Sequence, residues 1–306
     1  MTLTVVILTK NEGRHIERAL GSVSDISDRR FVVDSGSADR TVELAQAAGA
    51  TVLQNPWTNY ATQFNWALKQ LPSDTEWVMR LDADEIVTEP LAVEIKERLF
   101  GLPAETLGVY VPRRMHFLGR RIQWAGLFPI RVLRLFRHRK GHCENRWMDE
   151  HIIVNGKTAD FQGEIIDDNL NSLTTWTEKH NAYASREVVD LLNLEYGFMQ
   201  HETIADLRGG QQAGVKRWLK ENVYARLPVG LRAFAYFFYR YVIRFGFLDG
   251  KEGTAFHVLQ GFWYRYLVDM KYHEVKMHMK NDGVDVVTAI GNILEIDVRP
   301  QTSKDS

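Results

Sequence analysis

One cysteine, Cys143, in 306 residues cannot form an internal disulfide, and neither a Cys-rich zinc site nor a secreted disulfide scaffold can be built from it. A reducing cytoplasm is the expected compartment. The opening Met1-Thr2-Leu3-Thr4-Val5-Val6-Ile7-Leu8 lacks both a basic leader and an apolar stretch of signal-peptide length, so secretion is not expected. Internal repeats and low-complexity linkers are absent. Histidine pairs at ligand spacing are absent too: His138 and His142 lie among arginines, and His180, His201, His257, His273 and His278 are scattered. What remains is ordinary globular material, 45% hydrophobic and 25% charged, long enough for one large domain or a domain with a substantial annex.

A net charge of −1 conceals a segregation. Between Tyr110 and Trp147 stand Arg113, Arg114, Arg120, Arg121, Arg131, Arg134, Arg137, Arg139, Lys140 and Arg146, against the single acid Glu144. Such a run is either an anion-binding surface, for nucleic acid, phosphorylated sugar or anionic lipid, or a solvated basic face. Its surroundings could also lower the Cys143 pKa, although no partner for a thiol mechanism is present.

The first 100 residues alternate short apolar runs with helical periods, which predicts βαβ units around a mostly parallel sheet. Leu3 to Leu8, Phe31 to Val33, Thr51 to Leu53 and Trp77 to Leu81 read as strands. Ile16, Leu20 and Val23 keep a helical spacing, as do Phe64, Ala67, Leu68 and Leu71, and Ser37 is placed to cap a helix that Gly49 ends. Thr9, Asp34 and Asp82 then fall outside the carboxyl ends of the strands, where open α/β sheets bind ligands. Beyond Gly101 the strands look mixed, at Val109 to Val111, Val132 to Phe136 and Ile152 to Val154. From Thr174 the chain reads as mainly helical, with breaks near Gly197, Gly209-Gly210, Pro228 and Gly246 to Gly253. A boundary near residue 200 divides a catalytic domain, 1–200, from a helical C-terminal extension, 201–306.

Two patterns carry chemistry. Asp82-Ala83-Asp84-Glu85 follows a strand, and two carboxylates at alternate positions can share a divalent cation with a diphosphate, or form a plain acidic turn. Asp34-Ser35-Gly36-Ser37-Ala38-Asp39 follows another strand, and Asp34 or Asp39 can accept hydrogen bonds from a base or ribose, or close a capped turn.

Together Thr4 to Glu12, Val32 to Thr41 and Glu76 to Glu85 resemble, in order and spacing, the family-2 glycosyltransferases of GT-A fold. Weaker similarity continues through Arg131 to Phe136 and Phe247 to Gly253. The resemblance is to bacterial enzymes that extend lipopolysaccharide core or exopolysaccharide glycans at the inner membrane. It implies an α/β fold, a nucleotide-binding mixed sheet flanked by helices with a mainly helical C-terminal extension. It also implies an inverting transferase that takes a hexose from a nucleoside-diphosphate sugar, UDP-type, to a glycan or lipid-linked acceptor, with Mn2+ or Mg2+ as cofactor and no nucleic acid as partner. Thr9, Glu12, Asp34 and Asp39 would contact base and ribose, with Gln63 and Asn65 beside them. Asp82 would face ribose or metal, and Asp84 would be the principal metal ligand.

Inversion needs one general base. The family pattern, often a His-Glu pair before a strand, here reads Asp149-Glu150-His151, so Glu150 is the first candidate and Asp149 the second; both can instead pair with arginines. A sugar nucleotidyltransferase would usually carry a Gly-rich basic loop after the first strand, which Thr9-Lys10-Asn11-Glu12-Gly13 is not. A nucleotide-sugar-binding scaffold without turnover is the other alternative. Leu231 to Phe247, rich in aromatics with Arg232, Arg240 and Arg244, is too charged and short to span a membrane. It reads either as an interfacial helix whose arginines reach anionic headgroups on the cytoplasmic face, or as a helix packed on the catalytic domain.

Overall fold

The computed structural model describes residues 2–144, 150–199 and 230–298. Its sheet begins as the sequence predicts, with β1 (Leu3–Thr9) parallel to β2 (Arg29–Asp34) on one side and β4 (Trp77–Arg80) on the other, and β3 (Thr51–Gln54) outside β2. Alternate β1 residues serve opposite faces. Leu3, Val5 and Ile7 pack with Ile16 and Leu20 of α1 (Ile16–Ser22) and with Leu91 and Ile95 of α4 (Glu89–Arg98). Val6 packs with Phe64 and Ala67 of α3 (Tyr60–Gln70). Both faces are covered, so β1 is apolar nearly throughout.

The second half turns the sheet mixed. β8 (Ile130–Arg137) runs antiparallel to β4, and β6 (Thr106–Phe117) antiparallel to β8. β12 (Ile165–Asp168) lies parallel to β6 and antiparallel to β5 (Glu85–Val87), giving the order β3-β2-β1-β4-β8-β6-β12-β5. Because Asp167 stands opposite Glu85 in that register, the strand pairing itself brings a second acidic pair to the end of β4. The chain enters β12 through Gly163, where a Cβ would lie 2.3 Å from Leu91 Cα and 2.4 Å from its nitrogen. Backbone cannot yield as a side chain does. Gly163→Ala is therefore expected to lower stability by about 1–3 kcal/mol, read from urea midpoints.

Two expectations need correction here. Ser37 does not cap α2 (Thr41–Ala47): its hydroxyl bonds the Asp34 carboxylate, and Asp39 accepts from the Thr41 nitrogen at 3.0 Å instead. Nor is half of the arginine-rich stretch a free anion surface, and Arg146 lies outside the described residues. Strand pairing lays Arg113 against Asp167, Arg114 against Glu164, Arg131 against Asp160, Arg137 against Glu76, and Arg134 against both Asp82 and Glu85. A local count of charge could not see partners tens of residues away. Arg134 is 3% exposed, so its loss would strand two carboxylates. Arg134→Met is expected to cost about 3–5 kcal/mol by the same measurement.

α5 (Leu173–Tyr196) starts at Ser172, whose hydroxyl accepts from Thr175 nitrogen at 3.3 Å, and stops at Gly197 with φ 65°. Its first turns cross the strand ends, while Ala184, Val188 and Leu192 join Val268, Val275 and Ile290 in a second core. The boundary placed at residue 200, the breaks at Gly209-Gly210 and Pro228, and Asp149 lie outside the described residues. Downstream, helical segments cover 231–243, 250–282 and 286–294. The expected break from Gly246 to Gly253 shrinks to a turn at Gly246–Asp249, because helix resumes at Gly250.

Candidate active site

The ends of β1 and β2 make a rigid polar turn. Asp34 is fully buried; its carboxylate accepts from Thr9 Oγ1 at 3.1 Å and from the nitrogens of Gly36 and Ser37 at 3.0 and 2.9 Å. Burial pulls its pKa up, but those hydrogen bonds with the Ser37 hydroxyl more than offset it and hold the carboxylate below its usual range. Asn11, at φ 57°, ties the turn to β1 through Ala38 nitrogen at 2.8 Å and Ser37 Oγ at 2.8 Å. Asp39 is exposed beside it, holding Gly13 nitrogen at 3.0 Å. Gln63 is buried and bonds Ser35 Oγ at 2.9 Å and Asn55 Nδ2 at 2.6 Å. Thr9, Asp34, Asp39 and Gln63 thus shape one polar edge, Asp34 and Gln63 by setting the turn.

Glu12 stands at the mouth of this edge. It accepts from Lys179 Nζ of α5 and pairs with His15 Nδ1, each at 2.7 Å. Burial raises its proton affinity, but His15 and Lys179 together lower it further.

Beyond β4 the carboxylates divide by partner. Asp82 accepts from Tyr60 OH at 2.7 Å and Arg134 Nη2 at 2.8 Å, with Arg80 Nε 3.5 Å away. Burial opposes ionisation, yet the two guanidiniums hold Asp82 well below the usual carboxylate range. Among the described residues Asp84 makes no ion pair: its Oδ2 accepts from Asn169 Nδ2 at 2.9 Å, and burial, then Asp82 and Glu12, push its pKa up, which Asn169 and the more distant His15 do not offset. Asp167 is pushed up to about 8 by burial and by Asp84, which Arg113 at 3.8 Å does not offset.

The cluster therefore crowds carboxylates, and the arginines more than offset burial and repulsion at Asp82 alone. Among the described residues no three His, Cys, Asp or Glu side chains form a complete metal set. A magnesium-class cation asks for less, one or two carboxylates with substrate phosphates and water completing its shell, and Asp84 with its unbalanced charge fits that requirement.

A stability consequence follows from the sign of these shifts. Asp167 binds its proton more tightly folded than unfolded, so its contribution is complete below about pH 4 and is lost as pH rises through about 8. Asp34, Glu12 and Asp82 act oppositely and lose stability only in acid. Melting of the metal-free protein is expected to fall between about pH 4 and about pH 8, and Asp167→Asn to remove most of that slope.

Other expected residues lie apart from this edge. Asn65 spends both ends of its amide on Cys143, donating to its carbonyl at 2.8 Å and accepting from its nitrogen at 2.9 Å. Cys143 itself is buried, and burial pushes its thiol up to about 12, the reverse of the activation its basic surroundings suggested. Glu150 is half-buried at the rim, its carbonyl accepting from Arg80 Nη1 at 3.1 Å. Asp167, Arg134, Arg80 and Lys179 went unmarked in the sequence. Ile165-Ile166-Asp167-Asp168 repeats the pattern of a strand ending in acids, and that signal was available; Lys179 offers none.

The model of Glycosyl transferase family 2 matches residues 4–144. An uncharacterized glycosyltransferase of Rickettsia typhi is 30% identical over 203 residues, 62% of this chain and 68% of that protein. One of Rickettsia conorii is 27% identical across 91% of this chain and 92% of that one. The match to one of Rickettsia bellii, at 42% identity, spans only 31% of each chain. The chain belongs to glycosyl transferase family 2, and its mixed sheet with flanking helices and helical C-terminal region is of GT-A type. A crystal structure of glucosyl-3-phosphoglycerate synthase from Mycobacterium tuberculosis, in complex with Mn2+, UDP and glucosyl-3-phosphoglycerate, matches 38% of this chain and 44% of its own, at 22% identity and a TM-score of 0.31.

Proposed function

We propose that the protein is an inverting hexosyltransferase that moves a sugar from a nucleoside-diphosphate donor, UDP-type, to a glycan or lipid-linked acceptor in cell-surface polysaccharide synthesis, of lipopolysaccharide-core or exopolysaccharide kind, on the cytoplasmic side. The catalytic unit is residues 1–200, with 201–306 as the helical extension. The observation that carries this reading is Asp84, half-buried beside Asp82 at the ends of the parallel strands and in no ion pair among the described residues.

In this reading Thr9, Asp34 and Asp39, with Gln63 to the side, frame the base and ribose, and Asn65, spent on Cys143, takes no part. Lys179 fixes Glu12 at the mouth. Asp84, assisted by Asp82, would hold Mn2+ or Mg2+, which supplies charge neutralisation for the departing diphosphate. Arg134 keeps Asp82 ionised without occupying Asp84, so the two carboxylates divide between framework and metal. Glu150, or Asp149, takes the proton from the acceptor hydroxyl, and the single displacement inverts the sugar carbon.

The test is a panel of nucleotide sugars followed by released nucleoside diphosphate, with and without manganese. Release from at least one UDP-sugar, dependent on the cation, is expected. A folded protein that releases diphosphate from no member, and binds none, would sink the reading.

A further inference from the structure

The helix at Leu231–Phe238 is turned inside out. At about 100° per residue, Leu231, Phe234 and Phe238 fall on one stripe and Arg232, Ala233 and Tyr236 on the opposite one. A surface helix normally buries the apolar stripe. Here Arg232 is buried, its Nε donating to Asp269 Oδ1 at 2.7 Å. Arg240 is 5% exposed and donates to Tyr236 OH at 3.3 Å. The sequence expectation that these two arginines reach headgroups is thereby corrected.

The apolar stripe faces outward instead. Leu231, Phe234 and Phe238 are 56, 55 and 46% exposed, and the surface continues through Ile243, Phe245 and Phe247. Phe245 adopts φ 59°, a left-handed backbone that bulky residues avoid, with its side chain 52% exposed. A contiguous patch of this kind marks an interaction surface.

Charge identifies the partner. Residues 230–248 contain no Asp or Glu. The nearest acid, Asp249, is buried against the nitrogen of Gln123 at 3.1 Å and His257 Nε2 at 3.2 Å, and Glu252 lies 3.8 Å from Arg120 and 3.6 Å from Lys251. Lys251 is 91% exposed, Arg120 48%, and Arg244 is exposed as well. An apolar centre with a cationic rim complements an anionic bilayer surface. Two copies meeting face to face would set like rims together. No helix among the described residues is long and apolar enough to cross a membrane, so the element would lie in the plane of the leaflet.

We propose that the 231–248 face inserts into the interface of an anionic bilayer leaflet, with Leu231, Phe234, Phe238 and Phe245 at the acyl boundary and Arg244 and Lys251 among the headgroups. The segment is joined to the sheet beside the site: Phe256, in the helix that follows it, packs on Phe117 with ring centroids 5.3 Å apart, and the next β6 residue, His116, pairs in register with Asp168. A lipid-linked acceptor would then meet the carboxylates at the membrane surface, a corollary that rests on the transferase reading; leaflet binding itself does not.

Flotation of the full chain with vesicles tests this, using phosphatidylethanolamine with phosphatidylglycerol, or phosphatidylcholine alone, at about 0.1 M and about 1 M NaCl. Binding to the anionic vesicles is expected, with a fraction persisting at high salt because the contact is apolar. Phe234→Ser with Phe238→Ser should lower partitioning about tenfold or more, while melting and diphosphate release change little because both side chains are exposed. A wild-type protein that never floats overturns the proposal, as does a double variant that floats like wild type or binding abolished outright by salt. A wild-type dimer that the double substitution makes monomeric, without flotation, assigns the face to a second copy and overturns it too. Flotation without diphosphate release from any donor instead counts against the transferase reading alone.

Discussion

Asp84→Ala is expected to abolish cation-dependent sugar transfer, by about 10³-fold or more in turnover, while the protein keeps its melting temperature. Both halves of that result come from one feature. Among the described residues the Asp84 side chain pairs with no arginine, and its Oδ2 accepts from Asn169 Nδ2 at 2.9 Å. Removing it relieves repulsion from Asp82 and Glu12, which already push its proton affinity up. Framework stability should not fall. Asp82→Asn makes the contrast, since it would unbalance Arg134 and Arg80 and so lower stability as well as activity. Adding manganese should raise the melting temperature of the wild type and not of Asp84→Ala. A folded Asp84→Ala that still transfers sugar at near wild-type rate with manganese would remove Asp84 from the metal.

The parallel half of the sheet was legible in the sequence because each strand there is a short apolar run closed by a polar residue, and β1, β2 and β4 begin and end within a residue or two of those runs. Thr9, Asp34, Asp82 and Asp84 could be placed for the same reason, since the ends of parallel neighbours meet. What could not be read was pairing across distance. Arg134 neutralises Asp82 and Glu85 only because β8 enters the sheet beside β4 in reversed direction, and a run of arginines looks identical whether it faces solvent or acids. Asp167 joins the cluster through β12, whose place between β6 and β5 no local pattern encodes. The inverted helix defeated the sequence reading differently. Its periodicity is correct, but which stripe faces inward depends on Asp269, more than thirty residues on, where a carboxylate waits for Arg232.

Glu150→Gln is expected to slow the chemical step by about 10²–10⁴-fold, the usual contribution of a positioned proton acceptor, with donor affinity preserved. The Glu150 backbone is held by Arg80. Arg80, its guanidinium 4.2 Å from the centre of the Tyr60 ring, has one edge 3.5 Å from Asp82 Oδ1 and the other donating to the Glu150 carbonyl at 3.1 Å. One cation thus links Glu150 to Asp82. Next to Glu150, the Glu144 nitrogen donates to the His151 carbonyl at 3.0 Å and the His151 nitrogen to Glu144 Oε1 at 3.1 Å. The Glu150 main chain is fixed while its side chain remains half-buried at the opening. A general base also predicts a pH signature: the acid limb of kcat/KM should vanish in Glu150→Gln, whereas loss of a structural contact would lower the whole profile without changing its shape. Asp149→Asn is the matched control, expected to leave the limb in place. Should Asp149→Asn erase the limb and Glu150→Gln only lower KM-insensitive turnover a few-fold, the proton acceptor is Asp149, and Arg80 would be holding the neighbour of the base instead of the base.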